Sequence, residues 1–188
     1  MMLRAALLIV ALVFSSASIA QQRHAVPGHG TLVLQVPTAW RVADKPLQNP
    51  PAIALAMLPA ADDSFSLQLT AIWLEPAKRA ELTPQAIRDR VQASSRELLS
   101  SSVESEAKLA ELRGKEALGY YYSLTDRESK NTAGDYKYIA QGMATVGELL
   151  VVFTFLHREL ETAAKQQALQ MLADAAYVKG APAAEQPK

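Results

Sequence analysis

The chain has 188 residues, 49% of them apolar, with 19 basic and 19 acidic side chains. That is one ordinary domain with enough apolar content for its own core, and an even charge balance without a basic stripe argues against a nucleic-acid partner. No cysteine is present, which excludes disulfide staples, a thiolate nucleophile, a thiolate zinc site and a lipobox thiol for lipid attachment.

In chain order, Arg4 precedes an apolar run from Ala5 to Phe14, and Ser18-Ile19-Ala20 supplies the small residues a signal peptidase requires. A secretory signal peptide over residues 1–20, cleaved after Ala20, is therefore predicted. The run is too short to span a hydrocarbon core of ~30 Å and no stop-transfer charge cluster follows it, so no stable membrane anchor is expected after cleavage. Losing Arg4 leaves a net charge near −1 on the remaining 168 residues. The expected compartment is the periplasm, or the exterior if the host has a single membrane. Residues 21–29 are polar and irregular and read as a flexible mature N-terminus. A single domain is expected over 30–178, and 179–188, rich in Ala, Pro and charge, reads as a disordered tail.

Leu32, Leu34 and Val36 share one face by the two-residue period, which predicts a strand over Thr31–Val36 that Pro37 ends. Trp40 and the Pro-rich stretch Pro46–Pro51 follow. Ile53, Leu55 and Met57 then alternate with Ala52, Ala54 and Ala56, giving a second strand with one bulky and one small face. After a turn over Pro59–Ser64, Phe65, Leu67, Leu69, Ala71 and Trp73 mark a third strand. Thr83-Pro84 starts a helix, because the threonine hydroxyl can accept from an orphan amide and proline has none to leave unpaired. Its stripe is Ile87, Val91 and Leu98, with Ser94 between them.

Four strand-like segments come next: Ala107–Arg113, Ala117–Thr125, Tyr136–Val146 and Leu149–His157. Gly147-Glu148 suits a type II′ link, so the last two should pair antiparallel. Leu149–Leu156 is apolar at nearly every position, as a central strand covered on both faces would be. Leu160, Ala164, Ala168, Met171, Leu172 and Ala175 predict a second long helix that ends at Lys179-Gly180. The expected class is α+β: an α/β/α sandwich on a mainly antiparallel sheet of about six or seven strands, with helices on both faces.

That order of elements, together with Val36-Pro37 and Trp40, Leu112-Arg113-Gly114-Lys115-Glu116-Ala117 leading into Tyr120 and Tyr122, and Glu148–Phe155 before the final helix, resembles the PsbP-like superfamily. The superfamily includes photosystem II extrinsic subunits, small Ran-GTPase-binding proteins and bacterial envelope proteins. The resemblance covers Gly30–Val178 and implies a binding or assembly factor rather than a catalyst. It carries over no functional residue.

Residues with chemical potential are scattered. Of the three histidines, His24 lies in the segment expected to flex, His29 sits between two glycines and could approach a ligand, and His157 closes the last strand. None has a partner at metal-ligand spacing, so no metal and no cofactor is expected. Asp62-Asp63-Ser64 lacks the pattern of a calcium loop, the serine pairs lack a nucleophile setting, and no Gly-rich phosphate loop is present. The aromatic residues are more suggestive. Tyr120, Tyr121 and Tyr122 lie on a strand whose expected neighbour carries Tyr136 and Tyr138, and the long polar loop Asp126–Asp135 joins the two. Tyr121, Tyr136 and Tyr138, with Arg127 and Lys130 of that loop, are the candidate partner-binding residues. The leading expectation is an exported, soluble, non-enzymatic module that contacts another envelope protein. A carrier of a small apolar ligand is the alternative, with room left by Ala52, Ala54 and Ala56, and a hydrolase using His29 or His157 is a third reading.

Overall fold

The structure, a computed structural model, describes residues 18–132, 134–160 and 162–180. It opens with an antiparallel hairpin of β1 (Ile19–Val26) and β2 (Gly30–Pro37). A meander follows, made of β3 (Trp40–Leu47), β4 (Ala52–Pro59) and β5 (Phe65–Trp73). The short α1 (Pro76–Ala80) leads into α2 (Pro84–Leu98). Then come β6 (Ala110–Arg113), β7 (Ala117–Thr125), β8 (Tyr138–Val146), β9 (Leu149–His157), α3 (Ala163–Ala173) and β10 (Ala176–Val178).

Seven strands form one antiparallel sheet in the order β3-β4-β5-β9-β8-β7-β6, and β1-β2-β10 form a second, smaller one. As its unbroken apolar sequence predicts, β9 takes the central place, paired with β5 on one side and β8 on the other. Its two faces feed two cores. Leu149, Val151, Phe153 and Phe155 join Ile53, Met57, Leu67, Leu69 and the inner residues of β2 and α3. Leu150 joins Ile87, Val91, Tyr122 and Leu124 beneath α2. Each large side chain removed from water here contributes roughly 1.5–3 kcal/mol, which is how a cysteine-free chain holds together.

The helix α2 begins as its sequence requires, with the Thr83 hydroxyl accepting from the Ala86 N–H at 3.1 Å and Pro84 in the first turn. The β8–β9 link turns at Gly147, whose φ of 56° is the left-handed conformation glycine supplies at least cost. An added Cβ there would also run into the Tyr177 ring.

Five features depart from the sequence reading. First, residues 21–29 are not loose: Gln21–Val26 belong to β1, which the pattern concealed because its inward residues include Gln22 and His24 as well as Val26. Second, β3 was unforeseen, since no element was assigned between Trp40 and the Pro-rich stretch, and the strand carries Asp44, Lys45 and Pro46. These residues are tolerated because β3 is an edge strand, where a missing amide and solvated charges are acceptable. Third, the last helix is shorter than Leu160–Lys179. Thr162 caps it by accepting from the Lys165 N–H at 3.0 Å, Asp174 ends it, and the chain then extends into β10 on β2. Leu160 lies outside it and is exposed, whereas Ala168, Met171, Leu172 and Ala175 are buried as expected. Fourth, α3 shares its face of the large sheet with the small sheet, while α2 holds the opposite face over β7 and β8. Fifth, two strands start later than expected, at Ala110 and Tyr138.

Residues 1–17 of the expected leader and 181–188 of the expected tail lie outside the described residues. Ser18, Ile19 and Ala20 lie inside them, and Ile19 and Ala20 open β1. Among the described residues, no helix is long and apolar enough to cross a membrane.

Candidate functional site

The strands β7 and β8 end where α2 ends, and the connection between them folds back over that junction. Glu104 holds the post-helix segment to the sheet, accepting from the Thr125 N–H at 2.8 Å and the Thr125 hydroxyl at 2.7 Å. Burial pushes the Glu104 carboxyl up, but these two bonds outweigh it and leave the group below its ordinary value. The Val103 N–H donates to the Thr125 carbonyl at 2.8 Å, and the Arg127 N–H to the Ser101 carbonyl at 2.9 Å.

The loop Asp126–Asp135 is braced from within. Asp126 accepts from the Glu128 and Ser129 N–H groups, the Lys130 N–H donates to Asp135, and the Asn131 side-chain amide donates to the Arg158 carbonyl at 3.1 Å. Between this loop and the helix end lies an open cleft of about 110 Å³, with Leu98, Leu124 and Ile139 as apolar floor and Tyr136, Lys137 and Tyr138 among its walls.

The structure brings some of the sequence-predicted residues together and separates others. Tyr136 and Tyr138 are half-buried at the cleft, and Lys130 is exposed on the loop. Arg127 is exposed as well, but its guanidinium donates to the Ser102 carbonyl and so anchors the loop. Tyr138 also stacks over His157, ring centroids 5.5 Å apart at 28°. Tyr121 pairs with Gly142, four residues along β8 from Tyr138, or roughly 13 Å at strand spacing. It packs against the larger core. Of its neighbours, Tyr122 is buried, donating to Gln141 Oε1 at 2.8 Å and meeting the Ser94 hydroxyl at 3.2 Å, and burial raises its phenol above the usual value. Tyr120 carries the Arg88 guanidinium 5.9 Å from its ring centroid.

A second cluster, missed in the sequence, sits at the other end of the large sheet around Glu148. The Trp73 indole N–H donates to Oε2 at 3.1 Å, Lys179 Nζ donates to Oε1 at 3.1 Å, and Arg79 forms an ion pair with Oε2 at 3.1 Å. These partners, Trp73 foremost, hold the Glu148 carboxyl down at about 2. Tyr177 donates to the His29 carbonyl, and burial, then the nearby Glu148 charge, raises its phenol. The His29 ring lies flat on Trp73, centroids 3.7 Å apart at 16°. No short-range signal could have shown this convergence, because its members come from five separate elements and turns. A carboxylate held so acidic is a poor proton acceptor near neutrality and reads as a clasp.

The histidines do not share a site. His29 stands on Trp73 and His157 pairs with Phe65, at opposite ends of β5 and roughly 26 Å apart along the strand. His24, expected in a frayed end, is buried in β1 with Nδ1 3.5 Å from an Asp44 carboxylate oxygen. Among the described residues, no three His, Asp or Glu side chains gather as a metal site would require. The small face of Ala52, Ala54 and Ala56 meets neither a helix nor an enclosed pocket. Ala52 is buried, Ala54 half-buried and Ala56 exposed, beside a shallow groove of about 300 Å³ bordered by Gln68 and Thr70.

No protein-family model matches the chain, and no curated protein sequence matches it. The solution structure of PsbP (CyanoP) from the cyanobacterium Synechocystis sp. PCC 6803 is similar to it over 91% of this chain and 99% of that one, with a TM-score of 0.53 and 11% identity. At that identity the likeness concerns the fold and nothing finer. The chain has the PsbP-like fold.

Proposed function

We propose that the protein is an exported, soluble, non-enzymatic binding or assembly module that contacts another envelope protein through the Tyr136–Tyr138 cleft and the adjoining loop. The observation that carries this reading is the braced loop beside an open, apolar-floored cleft with tyrosines at its walls. Tyrosine offers a rigid ring and a hydroxyl, and a loop already hydrogen-bonded loses little freedom on docking. At about 110 Å³ the cleft is small against the ~300–1,000 Å³ usual for free ligands and suits an inserted side chain better. Lys130 supplies an exposed charge on the adjoining loop, while Tyr121 lies outside this surface and packs against the larger core. His29 is stacked on Trp73, and His157 is stacked on Tyr138 with Nδ1 at the Glu159 carbonyl, so each ring is engaged by packing, which supports a non-catalytic reading over a hydrolase using either.

The test places a photo-crosslinking residue at Tyr136 or Lys130 and, as control, at Glu81, in intact cells. A protein adduct from the first two positions and none from the third is expected; equal labelling at all three would refute the surface.

The open groove over Ala54 and Ala56 supports carriage of a small apolar ligand as a second reading. Native mass spectrometry of freshly purified protein decides it: a bound small molecule favours carriage, a bare mass favours the module.

A further inference from the structure

The sequence offers two places where a signal peptidase would find alanine at −1 with serine at −3. One is Ser18-Ile19-Ala20, and the other is Ser15-Ser16-Ala17 just before it. The sequence reading takes the later of the two, but the pattern is met equally at the earlier one, and the fold favours that. Cutting after Ala20 would remove residues that β2 uses along its last turns.

The dependence is specific. On its other side β2 is paired only through Thr31, Leu32 and Val33, which face β10. From Leu34 onward, β1 is its only strand neighbour among the described residues, and within that stretch Val36 pairs with Ala20 and Pro37 with Ile19. Thr38 then donates to the Ser18 carbonyl twice, from its N–H at 2.9 Å and its hydroxyl at 3.2 Å. Val36 is 0% exposed and Pro37 is buried. A chain starting at Gln21 would leave this end of β2 with unpaired backbone groups beside a buried valine, a costly arrangement. A chain starting at Ser18 keeps every one of these bonds.

Resting on the reading that the chain is exported, we infer that the leader is removed between Ala17 and Ser18, three residues earlier than the Ala20 site. The reaction is hydrolysis of one amide bond: water adds across Ala17–Ser18, leaving a carboxylate on Ala17 of the released leader and an α-amine on Ser18 of the mature protein. That new amine sits on an exposed residue just before β1, where its charge is solvated. Ile19, 60% exposed, stays as the outermost residue of the strand.

The experiment expresses the full chain in a two-membrane bacterium and determines the N-terminus of envelope-fraction protein by intact mass and terminal sequencing. Ser18 is expected, and Gln21 would overturn the inference while leaving export intact. An uncleaved chain starting at Met1 or Met2 in that fraction would overturn removal of the leader, and this inference with it, whereas recovery from the cytoplasm alone would overturn export itself. Two substitutions add a second line: Ala17→Leu should raise retained precursor several-fold or shift the cut, whereas Ala20→Leu should leave the Ser18 terminus in place. The reverse pattern would refute the assignment. Finally, purified protein beginning at Ser18 should melt a few degrees higher than protein beginning at Gln21, and equal melting temperatures would count against the structural argument.

Discussion

The Trp73 indole N–H donates to Glu148 Oε2 at 3.1 Å, joining the end of β5 to the turn that opens β9. Arg79 from α1 and Lys179 beyond β10 meet the same carboxylate, so one side chain ties four parts of the chain. Because the folded group titrates at about 2 instead of near 4.5, its stabilisation is fully present above pH ~4.5 and disappears as pH falls toward 2. Glu148→Gln should therefore melt below the parent at pH 7, and the gap should close progressively between pH 4.5 and 2. Thermal unfolding by circular dichroism across that range checks this, and a gap independent of pH would show that the charge is not the source.

Burial of the Tyr122 hydroxyl makes a different kind of prediction. It donates to Gln141 and meets Ser94 beneath α2. Tyr122→Phe should cost about 1–2 kcal/mol in denaturant unfolding, mainly from the polar groups left behind. A neutral result would mean that water reaches the site.

Stability and binding should separate along the tyrosines. Tyr136 lies at the cleft, so Tyr136→Ala should weaken partner capture while moving the melting temperature little. Tyr121 packs against the core, so Tyr121→Ala should cost stability, on the order of 2–3 kcal/mol for a half-buried ring, and affect capture only through folding. Pull-down at a temperature where both variants remain folded distinguishes the two effects.

Close packing at Gly114 gives a fourth test. A Cβ at this position would collide with the Ala173 backbone at the end of α3. Gly114→Ala should lower stability by more than the ~1 kcal/mol that ordinary backbone preference explains, with α3 displaced from β6. Hydrogen exchange of the α3 amides should rise in the variant, and unchanged protection would show that the helix end yields freely.

Where burial and periodicity coincide, the fold was legible in the sequence: β5, β7 and β9 follow from alternating or continuous apolar residues, and α2 from its Thr-Pro start. The missed strands are those whose inward residues are polar. In β1 the inward set is Gln22, His24 and Val26, and in β3 residues 43–46 are exposed, with Asp44 reaching His24 from the surface. The end of α3 was misplaced because the stripe through Met171, Leu172 and Ala175 was carried on to Gly180, while pairing with β2 takes Ala176–Val178 out of the helix. At the candidate site, Tyr136, Tyr138 and the loop were visible as an aromatic pair flanking polar residues, whereas the Glu104–Thr125 brace and the Glu148 clasp depend on contacts distant in sequence. Tyr121 shares its face with Tyr138, and it is the register with Gly142 that sets it four residues further along the strand and away from the cleft.

Strand order has a consequence for how the protein comes into being. The meanders β3-β4-β5 and β6-β7-β8 can each form as soon as they are available, yet they flank a gap that only Leu149–His157 fills. Emerging one end first from a ribosome or a pore, the chain holds two half-sheets with open edges until its final fifth arrives. Such long-range closure makes assembly slow, and both half-sheets keep an exposed edge until the last strand is in place.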